Sequence, residues 1–208
     1  MIYNQLRAGR LRTAVGLELF TVAFVIFEAL AALWIGLSTA SASLEAFGLD
    51  SLIELASGLI LLWRLISEQR STGQERIEMV ERRASRFVGL SLLALAVYIA
   101  VQSLYSLVTF AKPVPSVWGI ALALTSLVAM LALAKLKLQI AESIGSRALH
   151  ADGFEAIACA YLSSTLLLGL AANFLFGWWW ADALAALAMV FFIVREAREA
   201  LSGEHDED

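Results

Sequence analysis

The sequence predicts an all-α integral membrane protein of six transmembrane helices with both termini on the cytoplasmic side. Three observations carry this. The 208-residue chain is 60% hydrophobic and only 16% charged, where soluble domains run roughly 45–50% apolar and about 25% charged. The apolar residues are gathered into segments long enough to cross a bilayer, which takes about 20 residues of helix. All 15 Lys and Arg except Lys112 fall on one side of the resulting topology. The only two prolines, Pro113 and Pro115, share one short stretch, so the rest of the chain is free to be helical.

The segments lie near Thr13–Leu37, Leu44–Ile66, Phe87–Phe110, Val117–Lys135, Ala148–Leu170 and Trp178–Val194. The first is too long for the apolar core of a cleavable signal peptide, about 7–15 residues. The linkers expected at 38–43, 111–116 and 171–177 are short and polar or small, whereas 67–86 and 136–147 are charged. Arg7, Arg10 and Arg12 precede the first helix. Arg64, Arg70, Arg76, Arg82, Arg83 and Arg86 follow the second, Lys135, Lys137 and Arg147 the fourth, and Arg195 and Arg198 the sixth. The positive-inside rule makes that side cytoplasmic. Residues 1–12 are then a cytoplasmic N-terminus, 13–195 the six-helix domain and 196–208 a short acidic tail, with no C-terminal soluble domain expected. Trp178, Trp179 and Trp180 suit the aromatic belt of the opposite interface.

Shifting the chain by 105 residues lays Ser41 on Ser146, Leu44 on Leu149, Ala46 on Ala151 and Gly48 on Gly153, and brings Asp50 onto Glu155 and Glu54 onto Cys159. The two aligned helices cross in opposite directions, so the repeat is an inverted one, an arrangement that places a transport site near the midplane.

The chemistry sits in the same segments. Glu28, Asp50 and Glu54 are intramembrane acids, and Glu155 and Cys159 extend the set. An acid at the bilayer centre costs about 2.5–3.5 kcal/mol on insertion scales, so it is retained with a partner or a pathway. Because Lys135 and Lys137 are assigned to the cytoplasmic connection, the acids have no intramembrane Lys or Arg partner, which leaves protons or a bound cation. Asp50 and Glu54 are four apart and share a helix face, as do Glu155 and Cys159. Two helices packing those faces together bring four ligand-type side chains to one point, and four N, S or O ligands in a tetrahedron is what zinc takes. Cys159 is the single cysteine, so a disulfide framework is excluded.

The stretch from Ser41 to Ser57, with Phe47-Gly48-Leu49-Asp50-Ser51-Leu52-Ile53-Glu54 at its centre, resembles the second-helix signature of the cation diffusion facilitators. The stretch from Ser146 to Ser163 resembles their fifth-helix signature, and Trp180-Ala181-Asp182 the start of their sixth helix. The resemblance runs from about Leu19 to Arg198 and looks closest to a short bacterial branch, similar to the small vesicular zinc transporters of animals. It implies a six-helix bundle whose metal site falls on Asp50, Glu54, Glu155 and Cys159. Two departures stand out: the fifth-helix pair is Glu155 and Cys159 where the family has His or Asp and Asp, and the second-helix Asp is Glu54. Three carboxylates and a thiol accept Mn2+, Fe2+ and Co2+ through oxygen, while sulfur favours Zn2+ and Cd2+. Zn2+ is the expected cargo. The ligands must lose protons to hold it, so efflux across the cell (inner) membrane by proton antiport with alternating access is the expected activity.

For other residues two readings stay open. Glu28 is a proton relay, a further ligand or an acid bonded to helix 2. Asp152 is a helix-start acid or a feeder ligand with His150. Glu45 and Asp182, toward the outer ends, are structural or line an exit. Rival functions are a non-transporting metal sensor subunit, a small-cation multidrug exporter and a membrane metalloenzyme. The last lacks any His-Glu-x-x-His motif, the only histidines being His150 and His205. No enzyme activity, cofactor or nucleic-acid partner is expected. The expected partners are the metal, protons, the lipid bilayer and a second copy docked through the helices.

Overall fold

The computed structural model describes residues 2–69 and 74–202. Six helices follow in order: α1 Ile2–Thr39, α2 Ala42–Gln69, α3 Gln74–Val108, α4 Val117–Ile144, α5 Arg147–Phe176 and α6 Trp179–Ser202. Runs long and apolar enough to cross a membrane occur in five of them, at Arg12–Thr39, Ala42–Trp63, Gly89–Val108, Val117–Ser143 and Asp152–Phe176. In α6 the apolar stretch is interrupted by Asp182 and ends at Arg195, so the sixth span rests on a shorter run. The side chains of Arg7, Arg64, Arg76, Arg82, Arg83, Arg86 and Arg147, the whole of Arg70 and the tail residues 203–208, His205 included, lie outside the described residues.

The helices overrun the expected limits. α3 starts at Gln74, inside the expected linker, and α4 continues through Lys135 and Lys137 to Ile144. The connection from α4 to α5 shrinks to Gly145 and Ser146. Gly145 takes the left-handed conformation (φ 68°) and returns its N–H to Ala141, and Ser146 caps α5 by accepting from the Leu149 N–H at 3.3 Å. Leu, Lys, Gln and Ala at 136–141 are all good helix formers, so nothing ends the helix before the glycine.

α1 packs on α2 and on α4, α4 on α5, and α2 on α5, forming a four-helix core; α3 pairs closely with α6 beside it. Lipid is as apolar as leucine, so small residues that let backbones approach hold such helices together. Ala29, Ala32, Ala46, Ala123 and Ala186 are fully buried, while Trp34, Leu37, Val108, Trp118 and Phe191 face outward.

The 105-residue repeat is built into this packing. The Ser41 N–H bonds to the Gly36 carbonyl at 3.1 Å, and the Ser146 N–H to the Ala141 carbonyl at 3.1 Å. Ser41 caps α2 at the Leu44 N–H as Ser146 caps α5 at the Leu149 N–H. Ala40 (φ 53°) and Gly145 (φ 68°) hold the same left-handed position. Gly48 presses on Leu33 of α1 and Gly153 on Leu138 of α4, each pair related by the same shift. A Cβ on Gly48 would lie 2.9 Å from the Leu33 backbone nitrogen, whereas one on Gly153 meets the mobile end of Leu138 at 2.8 Å. Gly48→Ala is therefore expected to destabilise the protein by about 1–3 kcal/mol, the usual cost of overpacking. Gly153→Ala should cost less, and Gly16→Ala, with nothing within 4 Å, nothing at all. Thermal unfolding in detergent checks the ranking; equal midpoints for all three would refute this view of the α1–α2 contact.

At the opposite end from Gly145, Asp182 of α6 accepts hydrogen bonds from the hydroxyls of Ser41 (2.6 Å) and Ser43 and from the Ser43 N–H (3.4 Å). All three residues are buried. Of its two readings, the geometry serves the structural one: Asp182 ties the start of α6 to the start of α2. Glu45 accepts from the Tyr98 hydroxyl at 3.4 Å. Trp178 stacks on Trp180 with ring centres 5.3 Å apart, and Phe110 lies 5.5 Å from Trp179. These aromatics cluster where α3 ends and α6 begins, as a belt requires.

Candidate metal centre

The buried face of α1 repeats through Ala14, Glu18, Thr21, Val25, Glu28 and Ala32, a spacing of three and four that aims one stripe at the bundle. It turns two acids inward, Glu18 and Glu28, about 15 Å apart along the axis at 1.5 Å per residue.

Glu28 meets Glu54 of α2 and Cys159 of α5. One ligand atom from each of the three lies within 4.8 Å of the others, with Glu28 and Cys159 buried and Glu54 half-buried. Three helices thus contribute two carboxylates and a thiol to one point in the core. Glu54 Oε2 is buried and makes no hydrogen bond. A carboxylate oxygen in that condition is costly.

Glu28 is held by serines. Ser51 of α2 donates to Oε1 at 3.0 Å and Ser126 of α4 to Oε2 at 2.6 Å. Ser126 and Ser163 of α5 lie 3.0 Å apart, and Ser163 also reaches the Cys159 carbonyl at 2.9 Å. Hydroxyls of α2 and α4 therefore aim the Glu28 carboxyl, and Glu28 of α1, whose open readings include a further ligand, stands beside Glu54 and Cys159.

Asp50 and Glu155, the other members of the expected set of four, do not join this three-residue cluster. Asp50 is buried, and its charge, with those of Glu28 and Glu155, acts on Glu54.

The structure corrects one expectation outright. Lys137 was assigned to a cytoplasmic connection, leaving the acids without a buried cation. Lys137 is instead inside the bundle, on the α4 face that carries Ser126, Met130 and Ala141, and is 1% exposed. Its ammonium lies 3.2 Å from Glu18 and 2.5 Å from Asp152, and its charge also reaches Glu54. Glu18, which sequence reasoning passed over, has the same stripe spacing as Glu28. Asp152 pairs with Lys137 and not with His150, which is exposed and lies edge-on to Phe154 with ring centres 5.0 Å apart.

The helical bundle thus gathers two carboxylates and a thiol in its core, between helices apolar enough to cross a membrane. The model of the cation efflux transmembrane domain matches residues 19–203. The chain belongs to the cation efflux family, a family of transporters. No curated relative matches the sequence. Membership makes divalent cation efflux the general activity and a metal ion the substrate.

Proposed function

We propose that the protein exports a divalent transition metal, Zn2+ first, with Cd2+, Co2+, Mn2+ or Fe2+ as further cargo, in exchange for protons. The observation that carries this is the meeting of Glu28, Glu54 and Cys159 in the core, with one Glu54 oxygen left without a partner. Asp50 and Glu155, each four residues before a member of the cluster on the same helix, supply the remaining ligands as the ion arrives. Ser51 and Ser126 fix Glu28 as a further ligand or the proton acceptor of the site.

Protons and metal compete for the same oxygens and sulfur. An empty site takes up protons and a filled one releases them, so metal moving one way drives protons the other. The inverted α1–α2 and α4–α5 pairs supply the two halves whose rocking gives alternating access. The basic side is cytoplasmic by the positive-inside rule, which sets export from the cytoplasm across the inner membrane. Packing through helices in a homodimer completes the assembly.

The test uses proteoliposomes carrying a pH-sensitive dye. Added Zn2+ is expected to enter and to drive protons out, and Asp50→Ala is expected to abolish both. Proton release undiminished in that variant sinks the assignment. Binding without flux would instead mark a sensor subunit, and proton flux driven by organic cations alone a drug exporter.

A further inference from the structure

Glu18 of α1, Lys137 of α4 and Asp152 of α5 form a buried triad of two acids and one base at the end of the bundle where α1 begins and α4 ends. Glu18 is fully buried, and its Oε1 has no hydrogen-bond partner. A small cavity lies against the triad. Glu18, Thr21, Val22, Glu54, Gly58 and Asp152 are among the residues that line it. The cavity therefore joins the triad to the acid at the heart of the metal centre. Gly58 keeps it open, since a Cβ there would sit 3.1 Å from Glu18 Oε1.

The charge balance is uneven. One ammonium faces two carboxyl groups, so the triad is balanced only while a proton or a further cation is bound there. A buried charge without compensation is strongly destabilising. A divalent cation between the same two carboxylates would balance them fully. Lysine is a flexible point charge on a four-carbon stem that reaches for polar surroundings, and Lys137 lies two turns from the end of α4.

Building on the transport reading above, we infer that Glu18 and Asp152 are a second divalent-cation station on the path to the metal centre, occupied in this conformation by the tethered ammonium of Lys137. A metal ion loads by displacing Lys137 from the two carboxylates, then passes through the cavity to Glu54. Lys137 keeps the station from trapping cargo, because a tethered competitor acts at high effective concentration.

Co2+ separates the two sites. Bound at the metal centre it shows a sulfur-to-cobalt charge-transfer band through Cys159; bound between Glu18 and Asp152 it shows none. Purified Lys137→Met is expected to bind a second Co2+ per chain, measured by equilibrium dialysis, with no growth of the sulfur band. Lys137→Met with Glu18→Gln restores the native net charge of the triad and is expected to lose that second ion. Lys137→Met binding no more Co2+ than the native chain overturns the proposal. Should Lys137→Met fail to fold, Glu18→Gln decides. There Lys137 stays paired with Asp152, and stopped-flow arrival of the sulfur band should slow by about tenfold or more, the loss expected when an attracting cleft is removed. An unchanged arrival rate overturns the proposal. Absence of the sulfur band in the native protein would instead mark a failure of the Cys159 assignment, leaving the comparison of bound Co2+ intact.

Discussion

Glu54→Gln is expected to abolish metal flux while leaving the protein folded and equally or more stable. Glutamine keeps the size and one oxygen of glutamate but removes its charge. That charge sits under the influence of Glu28, Asp50 and Glu155, with Lys137 the only cation acting on it. One of its oxygens is buried without a hydrogen bond. The empty site carries protons, so glutamine imitates the neutral acid there, and the melting temperature in detergent should hold or rise. The metal loses a ligand at a point where α1, α2 and α5 side chains converge. Outer-shell changes alone cost metal sites about 10–100-fold in affinity, so loss of this direct ligand should cost at least about 100-fold. The informative result is the pairing of both effects. A variant that transports at the native rate, or that loses transport only because it unfolds, removes Glu54 from the centre of the site.

The spans, the repeat and the i, i+4 pairs were legible because each depends on local spacing. Apolar length reports a membrane helix, and a four-residue step reports a shared face, whatever the helix packs against. The meeting of Glu28 with Glu54 and Cys159 was not legible, because it depends on how far α1 slides along α2 and α5. Gly48 against Leu33 sets that register, and nothing in the spacing of either helix announces the contact. Lys137 was misplaced for a different reason. A lysine near the end of an apolar run, two residues from Lys135, looks like the flank of a span. The signal that finds it is the buried stripe Ser126, Met130, Leu133, Lys137, Ala141, which continues at helical period past the end of the apolar stretch. Glu18 was hidden the same way, by its closeness to Arg12, although it shares a stripe with Glu28. The serines that hold Glu28 come from α2 and α4, with Ser163 of α5 behind them. Serine is common in this chain, so only the packed structure distinguishes those three from the rest.

Cys159→Asp is expected to invert the order of metals. Cys159 is the single cysteine in the chain, and the structure turns its thiol toward Glu28 and Glu54. Its backbone carbonyl accepts from Ser163, which fixes the helix turn and leaves the side chain to the site. Thiolate draws Cd2+ and Zn2+, whereas an all-carboxylate site suits Mn2+. Competition binding should therefore shift from Cd2+ toward Mn2+ by at least about tenfold, or about 1.4 kcal/mol. Cys159→Ala separates this from packing, because a buried cysteine also acts as a small hydrophobe. If Cys159 only fills space, the alanine variant keeps the native order of metals and the aspartate variant loses stability without changing that order. If it is a ligand, alanine weakens Cd2+ and Zn2+ more than Mn2+, and aspartate restores tight binding with the preference reversed. The α5 position four residues after Glu155 would then be the point at which this chain sets its selectivity. Its repeat-related counterpart, Glu54, would supply the hard oxygen ligand, and the two inverted halves would contribute unlike donors to one ion.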